Sequence, residues 1–381
     1  MSTETDAHFD ELIRLPVPVK RAAYSDRTAW TMSLLSELAY MPFDEESDDR
    51  LLAIAEDLIK LATTDEEAAK TIAARLRGLS AELKQLSADG QDSHNAKLRA
   101  ALAAGRFDLA GGGPIYEPST DTQAFVVTRD ADDGTGMAVI CFRGTQQIRD
   151  WITNVDIRAV PVLDPKGTGA IVGHFHKGFH DSYRSVHDQI AERLKGREHL
   201  PLYITGHSLG GALAVVATWY QSAQKLGACY TFGAPRVGDA HLIGRFKTPI
   251  YRIVNAADPV PFVPPAGAVI DTLKNVLRVF SSVFSVAGYL DKLLELLIKQ
   301  QDFRHYGDMK YLPLKDAGDP TLRLHPSLSE ASRLYRYVRA WNTPTAVKDD
   351  TRKRRRDRID KYHEIGRYRE KLAAIARARN L

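Results

Sequence analysis

The chain has 381 residues, 44% of them hydrophobic, which is enough to bury one large core with insertions or two smaller ones and excludes global disorder. Its 52 basic and 48 acidic side chains nearly cancel to +4, so the average charge singles out no partner; the chain from Lys348 onward, with Arg352-Lys-Arg-Arg-Arg356, is basic, and the first fifty residues lean acidic. Two cysteines, Cys141 and Cys229, make no disulfide framework, and their apolar surroundings mark them as small core residues.

In chain order, Met1-Ser-Thr-Glu-Thr-Asp6 lacks the basic start and apolar stretch of a signal peptide, so cytoplasmic synthesis without a cleaved leader is expected. Residues 24–42 read as an amphipathic helix stopped by Pro42, with Trp30, Leu34, Leu35 and Leu38 on one apolar face. Residues 50–104, rich in Ala, Leu, Lys and Glu, read as two or three helices interrupted at Asp89-Gly90, and Gly111-Gly-Gly-Pro114 marks a loop. Strands follow at Gln123–Thr128 and Met137–Phe142, joined by a turn from Asp130 to Gly136. Thereafter helix and strand alternate: helix 179–194, strand 202–205, helix 211–226, strand 228–232, strand 250–255. That alternation predicts an α/β fold with a mostly parallel sheet and helices on both faces. Two regions are expected: 1–110, a helical region packed on or appended to the rest, and 115–381, carrying a helical insertion at 268–300. The insertion's uncharged core, Val279 to Leu290, is 12 residues long. A membrane-spanning helix needs about 20, so this segment is not expected to cross a bilayer.

The most informative stretch is Thr205-Gly206-His207-Ser208-Leu209-Gly210-Gly211-Ala212. It sets a Gly-x-Ser-x-Gly pentapeptide between an apolar strand and an Ala-rich helix, the context a nucleophile elbow requires. A serine before a helix is often only an N-cap. Glycine on both sides of the turn, where larger side chains would strike the strand and helix, favours the catalytic reading of Ser208.

A serine nucleophile needs an imidazole base and a carboxylate to orient it, following in the order Ser, Asp or Glu, His. Asp258 directly follows an apolar strand and opens a proline-rich loop, which puts it at a strand's C-terminal end, where sites in open α/β sheets gather. Asp239, the other acid considered, reads as a helix N-terminal residue. His174, His176 and His180 lack the further ligand a metal set would need, so no metal is expected.

In family order the chain carries Phe142-Arg-Gly-Thr145, Asp150-Trp-Ile-Thr-Asn154, Gly178-Phe-His-Asp-Ser-Tyr-Arg-Ser-Val186, the Ser208 elbow, Tyr230-Thr-Phe-Gly-Ala-Pro-Arg-Val-Gly238 and Tyr251-Arg-Ile-Val-Asn-Ala-Ala-Asp-Pro-Val-Pro261. These resemble the class 3, fungal-type lipase family of α/β-hydrolases over roughly residues 120–265. The resemblance implies an α/β-hydrolase fold, an oxyanion hole from Thr145 and the Leu209 amide, and a lid over Gln146–Asn154 whose Trp151 and Ile152 would face lipid. It also favours His363, which opens a His-x4-Tyr-x3-Leu pattern, over His305 as the base. A tyrosine, Tyr362, stands before that histidine where members of the family often carry aspartate.

The expected function is therefore a serine carboxylic ester hydrolase, a lipase acting on acylglycerols or related lipids, with Ser208, Asp258 and His363 catalytic and no cofactor. A phospholipase A1 or lysophospholipase acting on anionic membranes is the alternative, and a catalytically silent hydrolase-fold binding protein the third reading. Peripheral contact with an anionic membrane through 268–300 and 352–356 is one expectation, set beside 268–300 as a helical hairpin capping the core and 352–356 as a solvated helix start; a nucleic-acid partner is not expected, and oligomeric state is left open.

Overall fold

The computed structural model describes residues 2–380 apart from 16, 20–21, 45–51, 53–54, 57–58, 60–65, 88–92, 131–135, 146–157, 165–166, 265–302, 330–331, 334 and 337–361. Its helices are α1 (Ser2–Arg14), α2 (Asp26–Leu38), α3 (Glu66–Ser87), α4 (His94–Ala104), α5 (Lys177–Leu194), α6 (Leu209–Tyr220) and α7 (Ile365–Asn380). Its strands are β1 (Asp108–Leu109), β2 (Ile115–Glu117), β3 (Thr122–Arg129), β4 (Met137–Phe142), β5 (Ala159–Leu163), β6 (Ile171–His176), β7 (Leu202–His207), β8 (Leu226–Phe232), β9 (Ile250–Asn255) and β10 (Asp308–Leu312).

Among the described residues the sheet runs β1-β3-β4-β7-β8-β9-β10, with β2 also on β3. From β4 to β10 every pairing is parallel, and the antiparallel pairings are confined to β1, β2, β3 and β4. This is the mostly parallel sheet expected from the alternation of elements. Side chains leave a strand on alternate faces, and here both faces are covered. Phe125, Val127, Val139 and Cys141 join Trp30, Leu34, Leu35 and Leu372 in one core. Ala124, Val126, Ile140 and Phe142 join Tyr183, Val186, Leu213 and Val216 in the other. Helices α2 and α7 thus lie on one side of the sheet, and α5 and α6 on the other.

Helix α2 departs from its expected amphipathic character. It is buried nearly all round, with Thr28, Thr31, Ser33 and Ser36 inside along with the apolar residues. Hydroxyls tolerate that position because each finds an acceptor nearby. Thr31 donates to the Arg27 carbonyl at 2.9 Å and Ser33 to the Trp30 carbonyl at 2.7 Å. Ser36 pairs with Thr205 Oγ1 on β7 at 3.1 Å. Two ion pairs at the far end of α7, Arg377 with Glu11 and Arg379 with Asp26, tie that helix to the N-terminal helices.

Other differences from the sequence reading have local causes. Helix α6 ends at Tyr220 rather than 226, because polar Gln221–Lys225 must turn the chain back into β8, which starts at Leu226. Strands β1 and β2 are too short to show a period. The β5–β6 hairpin carries Pro161 and is a separate two-stranded ribbon. Strand β10 lies on the sheet edge next to β9. The insertion 268–300 and the basic run 352–356 fall outside the described residues.

Candidate active site

Parallel strands share one C-terminal edge, and the register aligns Phe142 with Gly206, His207 with Phe232, and Phe232 with Ile253. The residues following β4, β7, β8 and β9 therefore emerge together. They are Gly144-Thr145, Ser208, Gly233 and Asp258.

Ser208 joins β7 to α6 with φ 59° and ψ −128°. A positive φ at a non-glycine residue costs on the order of 1–3 kcal/mol and persists only where the surroundings impose it. They do so by close approach. A Cβ on Gly206 would fall on the Gly210 carbonyl, and one on Gly210 would fall on the Phe142 carbonyl. The Ser208 amide donates to the Phe232 carbonyl at 2.9 Å, fixing the turn against β8. Leu209 supplies the first amide of α6, and the first amides of a helix have no partner within it and carry its positive end. Ser208 is fully buried, and its Oγ makes no hydrogen bond with a described residue.

Asp258 is fully buried. Three donors surround its carboxylate. Val260 N–H reaches Oδ1 at 2.9 Å, His363 Nδ1–H lies 3.0 and 2.9 Å from the two oxygens, and the Tyr368 hydroxyl donates to Oδ2. Charge-assisted bonds of this kind hold a carboxylate in place far from water. Burial and the neighbouring Asp258 charge push the Tyr368 phenol well above its ordinary range, so it stays protonated and donates. Because a carboxylate only accepts, His363 carries its proton on Nδ1 and presents a lone pair at Nε2. That Nε2 has no hydrogen-bond partner among the described residues. Ser208 Oγ and His363 Nε2 thus each lack a hydrogen-bond partner among the described residues, and they are not hydrogen-bonded to each other. Such bonds often tighten only when substrate is bound.

His363 is held by its backbone as well. Asn255 Nδ2 donates to the Tyr362 carbonyl at 2.8 Å, and His207 Nε2–H donates to the His363 carbonyl at 2.6 Å. Lys371, buried on α7, donates to Asn255 Oδ1 and to the Pro313 carbonyl, both at 2.8 Å. A Cβ on Gly233, where φ is +58°, would sit 2.6 Å from Asp258 Oδ2 and 3.2 Å from His363 Cε1. Only glycine lets β8 pass so close to this pair.

Thr145 lies three residues beyond β4, half-buried, on the same edge as Ser208. Gly144 packs between them; a Cβ there would be 3.1 Å from Ser208 Cβ. Trp151 and Ile152 fall outside the described residues. His305 lies elsewhere: its Nε2–H donates to the Pro261 carbonyl at 2.8 Å, and burial beside Arg252, Arg236 and Arg333 holds it well below the ordinary imidazole range. Asp239 caps a short 3-10 turn and pairs with His174 at 2.8 Å. Of the other histidines weighed as ligands, His176 stacks on Phe179 and His180 meets the Tyr220 hydroxyl at 2.9 Å.

His207, Asn255 and Tyr368 stand within the sequence motifs above with no role of their own assigned there, and Tyr40 and Lys371 carry no motif. His207 lies inside the elbow itself, which was signal enough. Nothing local distinguishes Tyr40 or Lys371, whose partners stand far away in the chain.

Residues 139–268 match the family model described as Lipase (class 3). A lipase of Rhizomucor miehei is 40% identical over 159 residues, 38% of this chain and 42% of that one. The Arabidopsis thaliana protein named chloroplastic phospholipase A(1) DAD1 is 34% identical over 151 residues, 33% of each chain. The chain spans less than half the length of these curated relatives. Among solved structures, the native R. miehei lipase propeptide complex aligns at 26% identity over 60% of this chain and 63% of that one, with a TM-score of 0.42.

Proposed function

We propose, from the match of residues 139–268 to the class 3 lipase family model, that the chain is a serine carboxylic ester hydrolase that cleaves acylglycerols or related lipid esters. The observation that carries this is the buried Asp258–His363 pair beside a strained serine elbow. Ser208 Oγ attacks the ester carbonyl while His363 Nε2 takes its proton. Asp258 holds the imidazole in the required tautomer and balances the charge that forms on it. The oxyanion is met by the Leu209 amide and by Thr145, donors aimed where charge develops; losing one such donor typically costs about 10²–10³ in rate. His363 returns its proton to the departing alcohol. A water deprotonated by the same imidazole then releases the acid and restores Ser208.

Trp151 and Ile152 serve in this proposal as the apolar face of a lid over the site. The basic run 352–356 brings the enzyme to anionic membrane, each cation contributing about 1 kcal/mol near the surface. Phospholipase A1 action is the second reading, favoured by the relative so named. The test is a panel of triacylglycerols, monoacylglycerols and phospholipids, with fluorophosphonate labelling and Ser208→Ala as control. Wild-type protein that neither takes the label nor releases fatty acid would end the proposal. Binding to neutral and anionic liposomes that is equal at low salt would remove the membrane part alone.

A further inference from the structure

The elbow histidine and a tyrosine from the N-terminal region form a line of hydrogen bonds that the proposed chemistry does not use. Tyr40 lies just beyond the C-terminus of α2. Its hydroxyl is 2.7 Å from His207 Nδ1, and the opposite ring nitrogen, His207 Nε2, is 2.6 Å from the His363 carbonyl oxygen. The carbonyl can only accept, so Nε2 carries the proton, Nδ1 is the acceptor and Tyr40 is its donor. The imidazole planes of His207 and His363 are also in contact, with centroids 4.5 Å apart. At its other end the Tyr40 hydroxyl meets the Gly144 backbone, the residue before Thr145.

Each member is suited to a fixed role. His207 is buried, and burial together with the neighbouring His363 holds it well below the ordinary imidazole range, so it stays neutral with one donor and one acceptor. Burial raises the Tyr40 phenol far above its ordinary range, so its donor is permanent. Neither ring nitrogen of His207 is available for proton transfer to substrate, because both are engaged inside the protein.

We infer that Tyr40 and His207 are positioning residues: they brace the Gly144–Thr145 loop against the backbone of His363 and so fix the distance between the oxyanion donors and the base. The inference rests on the hydrolase reading above. A brace of this kind acts on the reacting geometry and leaves substrate binding alone. A shift of about 1 Å in a catalytic group can cost on the order of 10²-fold in rate. Cutting the brace therefore lowers kcat and spares KM.

The experiment measures kcat and KM on a soluble short-chain 4-nitrophenyl ester, with thermal melts and the rate of fluorophosphonate labelling, for wild type, Tyr40→Phe, His207→Leu and His207→Gln. Glutamine keeps an N–H near the position of His207 Nε2. The expected result is that His207→Leu loses roughly 10–100-fold in kcat and Tyr40→Phe about 3–10-fold, with KM changed less than about twofold. His207→Gln is expected to recover most of what leucine loses. Tyr40→Phe, a single-atom deletion at a half-buried site, keeps the test open if the leucine variant does not fold. Wild-type kcat in Tyr40→Phe, or a His207→Gln variant that folds but is no better than leucine, overturns the brace. So does a loss that appears in KM alone. Wild-type protein that neither turns over ester nor takes the label ends the hydrolase reading and the brace with it. A wild type that does both, with unaffected variants, ends the brace alone.

Discussion

Replacing Tyr368 by phenylalanine removes one oxygen from the most enclosed part of the site. That oxygen donates to Asp258 Oδ2 and accepts the Asn255 amide at 3.1 Å. A hydrogen bond to a charged group is worth about 1.5–3 kcal/mol, and a buried N–H left without an acceptor costs about 1–3 kcal/mol. The ring itself stays, keeping its edge contacts with Phe232 and His207 at centroid distances of 6.1 and 5.9 Å. Since one neighbouring relaxation serves both orphaned groups, the expected destabilisation is about 2–4 kcal/mol rather than the full sum. For a chain of 381 residues that lowers the melting temperature by roughly 2–5 °C. Catalysis falls less, within about tenfold, because Val260 N–H and His363 still hold the carboxylate. Calorimetry and kcat on a soluble ester read the two effects separately, with exposed Tyr335→Phe as the control expected to shift neither. A Tyr368→Phe melting temperature within about 1 °C of wild type would refute this account of how Asp258 is held.

Three further outcomes are expected. His363→Ala loses at least about 10⁴-fold in kcat, whereas His305→Ala, whose ring only caps the Pro261 carbonyl, stays within about tenfold on the same ester; the reverse ranking would make His305 the base. Gly210→Ala, whose new methyl would fall on the Phe142 carbonyl, is expected to give insoluble protein or a melting point at least about 3 °C lower; a wild-type melt would mean the elbow is not tightly packed. His207 sets a pH effect. Its folded-state affinity for a proton is depressed, so below about pH 6.5 the unfolded chain binds a proton that the folded one refuses. Stability is then lost as pH falls through that value, by about 1.4 kcal/mol per unit from this residue. Chemical denaturation from pH 7.5 to 5.5 should show a shallower loss in His207→Gln, and equal slopes would contradict a neutral buried imidazole.

The elbow, the loop position of Asp258 and the parallel sheet were legible because each is written in neighbouring residues. A strand period, a glycine on each side of a serine and prolines after a strand all act locally, through sterics that hold in any fold. Cys141 and Cys229 were legible as core residues for the same reason, and both are buried in β4 and β8. The amphipathic reading of α2 failed because periodicity assumes one wet face. Here α7 covers that face, and side-chain hydroxyls bond to backbone within the helix and to Thr205.

What only the tertiary structure decided is which groups meet. Asp258 and His363 are 105 residues apart, yet share a bond of 2.9 Å. Tyr40 reaches His207 across 167 residues, and Lys371 reaches Asn255 across 116. No local spacing encodes such pairs. Folding brings them together when the strands align their C-terminal edges and α7 is clamped over that edge by α2. In the dry space so formed an unpaired polar group costs more than at the surface, so most of these groups are paired, Ser208 Oγ and His363 Nε2 being exceptions among the described residues. Sequence chose the chemical groups and the local turns that display them. Burial chose their partners.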